Sequence, residues 1–456
     1  MREYKLAAAP LMWQLTNGNS VNAMGYNGQV PGPPITATVG DLVKVGFKNN
    51  LPVDTTVHWH GVDVPNPMDG VPDVTQKPVP PGGSFSYQFV VNTPGTYWYH
   101  SHVDEMTQVR SGLYGAIVVR PRESTVQFDR DETIILSDFG SMAQGPTSGP
   151  GQASIGSSSM PGMTGQGGMG GGMMGQGGAS GMGQGMMGEP QQPSDHAKDF
   201  LINGKQAPAV PELTVRQGER IRLRLINASA SADHFIRLDG HQLTPITTDG
   251  HDLPQPARPA DLIRLSPAER VDVLLVAEHP GVWALHCAIA EHTQMGMQMT
   301  VRYDGQQGSP SVDQTDPRGL KLWAPDLPAQ GRQTPPSDKT VDLQISGNMM
   351  GSSNWTINGQ TYPDVQPIDV KLGQSVRLRV TNMSMEAHPM HLHGQPFEVV
   401  ALDGRVVQPE IKDTIEIGPM GSADLIFKAT NPGKWLFHCH NFEHMMNGLA
   451  TIIRVQ

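Results

Sequence analysis

Six histidines and one of the two cysteines of this 456-residue chain lie in two short segments near its C-terminus. These residues are His388, His391 and His393 in the first segment, and His438, Cys439, His440 and His444 in the second. Successive side chains of a β-strand point to opposite faces, so Cys439 would point away from His438 and His440. A thiolate combined with imidazoles is typical of a blue copper, which transfers one electron. One strand would therefore hold such a copper on one face and supply imidazoles to further metal ions on the other.

Two histidines separated by one residue occur four times in the chain. The pairs are His58/His60, His100/His102, His391/His393 and His438/His440. Both rings of each pair would lie on one strand face, and eight imidazoles from two domains would suit three coppers held at a domain interface. His388, Cys439 and His444 would then form a separate thiolate site. The alternative is a set of scattered surface or core histidines beside a buried free cysteine, and four pairs in register with an internal repeat argue against it.

Three copies of one sequence pattern indicate the elements that position these residues. Each copy begins with an Asn-Gly turn and then an alternating strand that ends at an asparagine, namely Asn49, Asn227 and Asn382. Each copy closes with a Pro-Gly pair and, five residues after the glycine, a histidine, namely His100, His286 and His438. A period of two indicates β-strands. We therefore predict an all-β chain of three β-sandwich domains in which helix is scarce.

The repeat predicts domains at residues 1–128, 129–305 and 306–456. Residues 141–195 consist mainly of Gly, Ser, Gln and Met and have too little apolar surface to fold alone. We expect them to form a disordered insertion in the second domain. Residues 306–338 are rich in Pro, Gly, Gln and Asp and are predicted to connect the second domain to the third.

Composition excludes some classes of partner. The net charge of −11 gives no electrostatic footprint for nucleic acid or an anionic membrane, and we find no apolar run long enough to span a bilayer. The N-terminus lacks the apolar segment of a signal peptide. Either the protein is cytosolic or a leader has been removed, and copper chemistry favours a periplasmic or extracellular protein. We expect a monomer, and no disulfide, because both cysteines lie in metal-like contexts.

The four histidine pairs and the three-fold repeat resemble those of the three-domain multicopper oxidases, which include laccases, bilirubin oxidases and bacterial cuprous oxidases. The resemblance covers essentially the whole chain. It implies cupredoxin-like Greek-key domains and four coppers per chain: one type 1, one type 2 and a type 3 pair. The implied ligands are His388, Cys439 and His444 for type 1, His58 and His391 for type 2, and His60, His100, His102, His393, His438 and His440 for type 3.

The resemblance also implies an activity. A reductant would give single electrons to the type 1 copper, Cys439 would carry them to the cluster, and dioxygen would be reduced there to water. The expected reductants are phenols and aromatic amines, Cu(I), or both. Asp69, eleven residues after His58, resembles the proton-relay aspartate of the family, and its alternative role is that of an ordinary loop residue. The alternative function for the whole chain is a non-catalytic copper-sequestering protein.

Two positions depart from the family pattern. Leu449, five residues after His444, stands where a weak axial methionine would bind, and losing that ligand should raise the type 1 potential. Met445 stands where bacterial members often carry an acidic residue, which puts one proton route in doubt.

The middle copy retains a second set of thiolate-site residues. When it is aligned on the third copy, the residues at the type 1 positions are His234, Cys287, His292 and Met297. The cluster positions hold Arg237, Asp239 and Ala288 instead. We predict a second type 1 copper here, a fifth per chain, with a lower potential than the Leu449 site because of its axial methionine. The alternative is a metal-free remnant.

Methionines suggest where the reductant binds. Residues 141–193 contain nine methionines, and thioethers prefer Cu(I), so this tract is predicted to deliver Cu(I); the alternative is a linker whose methionines are incidental. Met383, Met385 and Glu386, just before His388, are predicted to line the face that receives electrons. Their alternative role is ordinary packing near the copper.

Overall fold

The computed structural model describes residues 1–123, 127–140, 199–253, 257–313, 319–324, 333–347 and 354–456. The predicted insertion at 141–195 and its methionine tract lie outside the described residues. Within them the strands form six sheets. The described helices are short: α1 (Glu105–Gln108), α2 (Ala290–Gln294), α3 (Phe442–Met446) and a 3₁₀ turn at Asn66–Met68. None of these helices has the length and apolar character needed to cross a membrane. The all-β prediction is confirmed.

The first sandwich is formed by β1 (Arg2–Thr16), β2 (Asn19–Tyr26), β3 (Ile35–Thr38), β4 (Leu42–Asn49), β5 (His58–His60), β6 (Ser84–Val90), β7 (Gly95–His100) and β8 (Tyr114–Arg120). The strand orders of its two sheets are β2-β1-β4-β6 and β3-β8-β7-β5. Inward-facing residues of both sheets, such as Val45 and Ile117, share one buried core. Burying these alternate apolar side chains holds the sheets face to face.

The second sandwich is formed by β9 (Arg130–Phe139), β10 (Asp199–Ile202), β11 (Leu213–Val215), β12 (Arg220–Asn227), β13 (His234–Leu238), β14 (Thr244–Thr248), β15 (His251–Asp252), β16 (Leu262–Leu265), β17 (Arg270–Val276), β18 (Val282–Cys287), β19 (Gln298–Tyr303) and β20 (Leu322–Trp323). Its sheets follow the orders β10-β9-β12-β17-β14-β15 and β11-β19-β18-β13-β16-β20. Leu223 of the first sheet and Leu285 of the second belong to one core.

The third sandwich is formed by β21 (Lys339–Gly347), β22 (Trp355–Ile357), β23 (Ile368–Val370), β24 (Ser375–Asn382), β25 (His388–Leu392), β26 (Phe397–Leu402), β27 (Arg405–Lys412), β28 (Thr414–Ile417), β29 (Ser422–Lys428), β30 (Gly433–Cys439) and β31 (Ala450–Val455). Its sheets follow the orders β22-β21-β24-β29-β26-β27 and β23-β31-β30-β25-β28. Leu378 and Phe437 join their faces in one core.

A buried asparagine fixes the same loop in all three sandwiches. Asn49, Asn227 and Asn382 end β4, β12 and β24, and none of them is exposed. Each side-chain oxygen accepts a hydrogen bond at 2.9 Å from the backbone N–H two residues later. Each side-chain NH₂ donates to a backbone carbonyl further along the loop. Because a buried amide must be hydrogen-bonded, each asparagine holds the loop that leads into β5, β13 or β25.

Candidate metal centre

Two pairs of neighbouring strands position the four His-X-His motifs; His102, His393 and His440 lie just after the ends of β7, β25 and β30. In the first sandwich β5 is antiparallel to β7, and His58 lies opposite His100. In the third sandwich β25 is antiparallel to β30, and His391 lies opposite His438. Because alternate residues share a face, each strand pair gathers its histidines on one side of its sheet. All eight histidines of the four motifs are buried.

The first and third sandwiches bring these two groups of imidazoles into contact. The ring of His60 stacks on that of His391 with centroids 3.8 Å apart, and the ring of His58 lies 4.0 Å from that of His393. The nitrogens that could bind a metal in His58, His391 and His393 all lie within 4.8 Å of one another. The structure therefore brings together residues that the sequence predicted to share a cluster.

Hydrogen bonds orient most of these rings. Nδ1 of His58, His391 and His438 each donates to a backbone carbonyl, at 2.8, 2.8 and 2.9 Å. A carbonyl only accepts, so Nδ1 carries the proton and Nε2 carries a lone pair. Within the described part of the chain, Nε2 of His58, His100, His102 and His391 has no hydrogen-bond partner. Buried polar atoms without partners are rare in folded proteins. These four nitrogens are therefore candidates for binding a metal.

His393 and His438 give the most direct indication of a cation. Nδ1 of His393 donates to Oδ2 of Asp69 at 3.0 Å, so its Nε2 also carries a lone pair. The Nε2 atoms of His393 and His438 lie 3.0 Å apart, and two lone pairs at that distance repel each other unless a positive charge lies beside them. Imidazole is a good ligand for copper. The residues present therefore fit a buried copper cluster.

His60 presents its other nitrogen to the cluster. Its Nε2 lies 3.1 Å from Oδ1 of Asp413 and 3.2 Å from Oγ1 of Thr414, and its Nδ1 has no partner among the described residues. Strand alternation predicts the face on which His60 lies, but not which nitrogen it presents. Sequence reasoning missed Asp413, which lies 353 residues from His60 along the chain and belongs to no motif.

A second group lies on the other face of β30. Sγ of Cys439 lies 3.7 Å from Nδ1 of His388 and 3.6 Å from Nδ1 of His444. The two Nδ1 atoms lie 3.0 Å apart. Leu449, at the predicted axial position, is fully buried in the same core and has no atom that can bind a metal. The arrangement offers one sulfur and two nitrogens to a single ion.

Burial sets the protonation of both groups. It lowers the pKa of five cluster imidazoles well below their usual range, and neighbouring histidines lower it further; these are His60, His100, His393, His438 and His440. Burial also lowers the pKa of His388 to about 3 and raises the pKa of the Cys439 thiol. These six imidazoles are therefore neutral and able to bind a metal at once, whereas the thiol must release a proton when it binds.

Asp69 contacts two cluster imidazoles from behind. Besides its contact with His393, its Oδ1 lies 3.4 Å from Nδ1 of His58, and its side chain is 1% exposed. The next residue, Gly70, has a φ of +87°, and a Cβ there would lie 2.1 Å from the carbonyl oxygen of Val57. Only glycine fits this turn, which places the carboxylate beside the cluster.

Glu105 is a second buried carboxylate at the cluster. Its Oε1 lies 2.7 Å from Nδ1 of His102. Burial lowers the pKa of His102, but the Glu105 carboxylate outweighs burial, so the pKa of His102 is raised. Sequence reasoning missed Glu105, although its position three residues after His102 was an available signal.

The predicted second thiolate group also assembles in the middle sandwich. The atoms of His234, Cys287 and His292 that could bind a metal lie within 4.8 Å of one another, and all three residues are buried. Met297 is fully buried in the same core. Burial raises the pKa of the Cys287 thiol to about 12.

Glu386 links the third-domain thiolate group to the surface. Its Oε2 lies 3.0 Å from Nε2 of His444, and its side chain is 35% exposed. Met383 and Met385, which precede it in the chain, are 45% and 77% exposed. The structure therefore places these predicted substrate residues at the surface, with Glu386 in direct contact with a ligand of the thiolate group.

Family models described as multicopper oxidase match three segments of the chain: residues 8–124, 179–306 and 333–456. Among curated proteins, multicopper oxidase MmcO of Mycobacterium tuberculosis is 35% identical over 444 residues, which cover 95% of this chain and 83% of that protein. A copper resistance protein A homolog of Pseudomonas syringae is 26% identical, with 96% and 90% coverage.

Solved structures show the same similarity. The multicopper oxidase of Pseudomonas thermotolerans superposes with a TM-score of 0.75, 27% identity and full coverage of both chains. The laccase of Botrytis aclada superposes with a TM-score of 0.76 and 25% identity, covering 99% of this chain and 87% of that one. The chain therefore belongs to the multicopper oxidase family, enzymes that use type 1, type 2 and type 3 copper to couple the oxidation of a reductant to the reduction of dioxygen.

Proposed function

We propose that the histidines shared by the first and third sandwiches hold three coppers and that the group around Cys439 holds the type 1 copper. In this assignment the type 1 ligands are His388, Cys439 and His444, with Leu449 at the axial position without binding. The type 2 ligands are His58 and His391. The type 3 ligands are His60, His100, His102, His393, His438 and His440. The unpartnered, deprotonated ring nitrogens of the cluster support this assignment.

Bound copper would supply one-electron transfer and the binding of dioxygen, which no side chain of this site can provide. The protein supplies the path between the two groups. Cys439 lies on one face of β30 with its sulfur toward His388, and its covalent neighbours His438 and His440 carry rings that lie in the cluster. If copper is bound at both groups, this strand would therefore connect them through a few covalent bonds.

Asp69 is proposed as the residue that delivers protons to the cluster. Its carboxylate accepts a hydrogen bond from His393 and contacts His58, so it fixes the tautomer of one imidazole and is near the place where dioxygen takes up protons. Met445 offers no proton at the position where an acidic residue is common. Asp69 thus has the role of positioned acid for this chain.

We propose Cu(I) as the reductant that this site favours, with phenols and aromatic amines as further substrates. The observation behind this proposal is the contact between Glu386 and His444, flanked by the exposed thioethers of Met383 and Met385. Thioether sulfur prefers Cu(I), and a carboxylate adds negative charge beside it. Electrons could pass from a cation held here to His444 without burial of the cation.

The double variant Met383→Leu/Met385→Leu tests this proposal. It should raise the KM for Cu(I) and leave the oxidation of a phenol nearly unchanged, because leucine keeps the shape and removes the sulfur. Met12→Leu is the matched control, since Met12 is 64% exposed on β1 of the first sandwich. Equal effects of the double variant on both substrates would contradict the preference for Cu(I).

We also propose the domain boundaries, the location and the oligomeric state of the protein, and a role for the methionine tract. The domains are assigned to residues 1–128, 129–305 and 306–456, and the protein is assigned to the periplasm or the extracellular space as a monomer. Limited proteolysis, cell fractionation and light scattering would test these three points in turn. Deleting residues 141–193 should depress Cu(I) oxidation more than the oxidation of a bulky dye, if that tract delivers Cu(I). Equal depression would contradict that role.

A further inference from the structure

The middle sandwich contains a group of metal-binding side chains that the oxidase activity described above does not use. Nδ1 of His234 lies 3.2 Å from Nδ1 of His292, and Sγ of Cys287 lies 3.5 Å from Nδ1 of His292. The corresponding separations in the third sandwich are 3.0 Å between His388 and His444 and 3.6 Å from its sulfur to His444. The two groups therefore have nearly the same internal geometry.

The same backbone frame supports both groups. Cys287 on β18 lies opposite Ile236 on β13, just as Cys439 on β30 lies opposite Met390 on β25. In each sandwich the second histidine lies on a short helix, α2 or α3, directly after the cysteine strand. Its carbonyl oxygen accepts a hydrogen bond at 3.0 Å from the N–H of the residue in the axial position, Met297 or Leu449. The equivalence seen in the sequence is thus an equivalence of position.

Contacts with residues that are not themselves ligands orient the imidazoles of the middle group as well. Oγ of Ser229 lies 2.8 Å from Nε2 of His234, the counterpart of the 3.0 Å contact between Ser384 and His388. The ring of His292 stacks on that of Phe200, with centroids 3.9 Å apart. Both Nδ1 atoms consequently face the sulfur. We propose that this group is a second blue copper site, with His234, Cys287 and His292 as ligands and the thioether of Met297 in the axial position.

Backbone N–H groups surround the sulfur of Cys287. The N–H of Phe235 donates to Sγ of Cys287 at 3.4 Å, and the N–H of Ile289 also donates to it. Two backbone donors aimed at one sulfur would stabilise the negative charge that it carries once a metal has displaced the thiol proton. In the third sandwich Pro389 occupies the position of Phe235 and has no N–H to donate, so the middle sulfur has an additional donor.

The other face of β18 is closed to a copper cluster. Asp239 Oδ1 lies 2.9 Å from Nε of Arg237 and 3.2 Å from Nε2 of His286, and the backbone N–H of Asp313 donates to Asp239 Oδ2 at 2.9 Å. An ion-paired group therefore occupies the place where the third sandwich has cluster ligands. An electron stored at a copper beside Cys287 would therefore have to leave the middle sandwich to be used.

A path of hydrogen bonds and one ring contact leads from this site to the cluster. Ser229, which contacts His234, is followed by Ala230, whose carbonyl accepts a hydrogen bond at 3.0 Å from the N–H of Phe442. The ring of Phe442 lies 4.8 Å from that of His440. The middle site would thus store one electron from the same reductant. Through His440 the path also reaches its covalent neighbour Cys439. Transfer along it would oxidise the middle site by one electron and reduce the Cys439 site by one, and no proton or atom would move.

Copper analysis and electron paramagnetic resonance of the copper-loaded protein test the site directly. Wild-type protein should hold five coppers per chain and show two type 1 signals. Cys439→Ser should keep a blue absorption and one type 1 signal, and Cys287→Ser should keep the other signal with four coppers per chain. The double variant should be colourless. A colourless Cys439→Ser protein, or four coppers in wild-type protein that remain four in Cys287→Ser, would overturn the proposal.

A milder variant guards against misfolding of the serine variants. Met297→Leu should change only the type 1 signal that Cys287→Ser removes, and no change in either signal would overturn the axial assignment. The relay is tested by giving oxidised wild-type protein less than one equivalent of reductant and following both signals. Redistribution at a rate independent of protein concentration is expected, and a rate that rises with concentration would refute the internal path. Failure of the middle site would leave the four-copper oxidase intact, so the two proposals fail separately.

Discussion

Arg270 and Asp413 form a buried two-point ion pair at the back of the copper cluster. The guanidinium donates to both carboxylate oxygens, at 2.7 and 2.5 Å, and the side chains are 0% and 4% exposed. Arg270 belongs to the second sandwich. Asp413 belongs to the third sandwich and contacts His60 and His391. Burial raises the pKa of Asp413, but Arg270 outweighs burial and holds that pKa well below its usual range. The pair thus ties the middle sandwich to two cluster imidazoles.

Replacing Arg270 with glutamine should destabilise the copper-free protein by about 3–5 kcal/mol, because it leaves a buried carboxylate without its partner. Arg379→Gln is the matched control. Arg379 is 51% exposed and lies 3.2 Å from Asp342 and 3.6 Å from Asp424. Asp424 keeps its pair with Arg377, so losing these contacts should cost about 1 kcal/mol or less. Denaturant unfolding of both variants provides the comparison. Similar losses in the two variants would show that the buried pair is not needed for stability.

Asp272 should make stability depend on pH. Thr96 Oγ1 donates to it at 2.7 Å, and Nε of Arg222 donates to it at 2.9 Å. Burial raises its pKa, but Arg222 and Arg224 outweigh burial, so the folded pKa lies below the ordinary value, which is about 3.9 in an unfolded chain. A depressed carboxylate pKa contributes stability above the unfolded pKa, and this contribution is lost as the pH falls through the folded pKa.

Asp272→Asn should therefore destabilise the copper-free protein more at pH 7 than at about pH 3. The lower pH lies below the pKa of an unfolded aspartate, where the contribution of Asp272 has begun to be lost. The measurement is the difference in unfolding free energy between variant and wild-type protein at each pH. Asp342→Asn serves as control, because Asp342 is 74% exposed and its replacement should have a small effect throughout. A difference for Asp272→Asn that grows as the pH falls would show that the sign is wrong.

Much of the site could be predicted because its signals are local in the sequence. Strand alternation and the repeat were sufficient to group the histidines of β5, β7, β25 and β30 and to separate Cys439 from its neighbours. Local patterns say nothing about partners that come from distant loops. Which ring nitrogen His60 presents to the cluster depends on Asp413, 353 residues away. The charge of Asp413 in turn depends on Arg270, which belongs to another sandwich. Such contacts arise only when the sandwiches pack together.

Asp69→Asn should slow the reoxidation of reduced enzyme by dioxygen by about 10²-fold or more, the usual contribution of a positioned acid or base. Asparagine keeps an oxygen that can accept from His393, so copper content should remain that of wild-type protein. Stopped-flow recovery of the blue absorption measures the rate, and metal analysis measures the copper. Asp364→Asn, at an exposed position, is the control. Wild-type rates in Asp69→Asn would exclude the carboxylate from proton delivery.

Leu449→Met should lower the reduction potential of the Cys439 site. Leu449 is fully buried, and its backbone N–H donates to the carbonyl of His444 at 3.0 Å, so its side chain starts beside the thiolate group. Leucine and methionine have similar volumes, so the exchange adds a thioether without opening a cavity. A weak axial sulfur ligand stabilises the oxidised copper and lowers the potential.

The measurement is a redox titration of the blue absorption in the Cys287→Ser background, where only the Cys439 site can contribute colour. The reciprocal variant Met297→Leu in the Cys439→Ser background should shift its potential upward. The middle sulfur also accepts the additional N–H bond from Phe235, which withdraws charge from the thiolate and raises the potential. The wild-type gap between the two sites should therefore be smaller than either of the two shifts taken alone. An unchanged potential in Leu449→Met would mean that its thioether does not reach the metal.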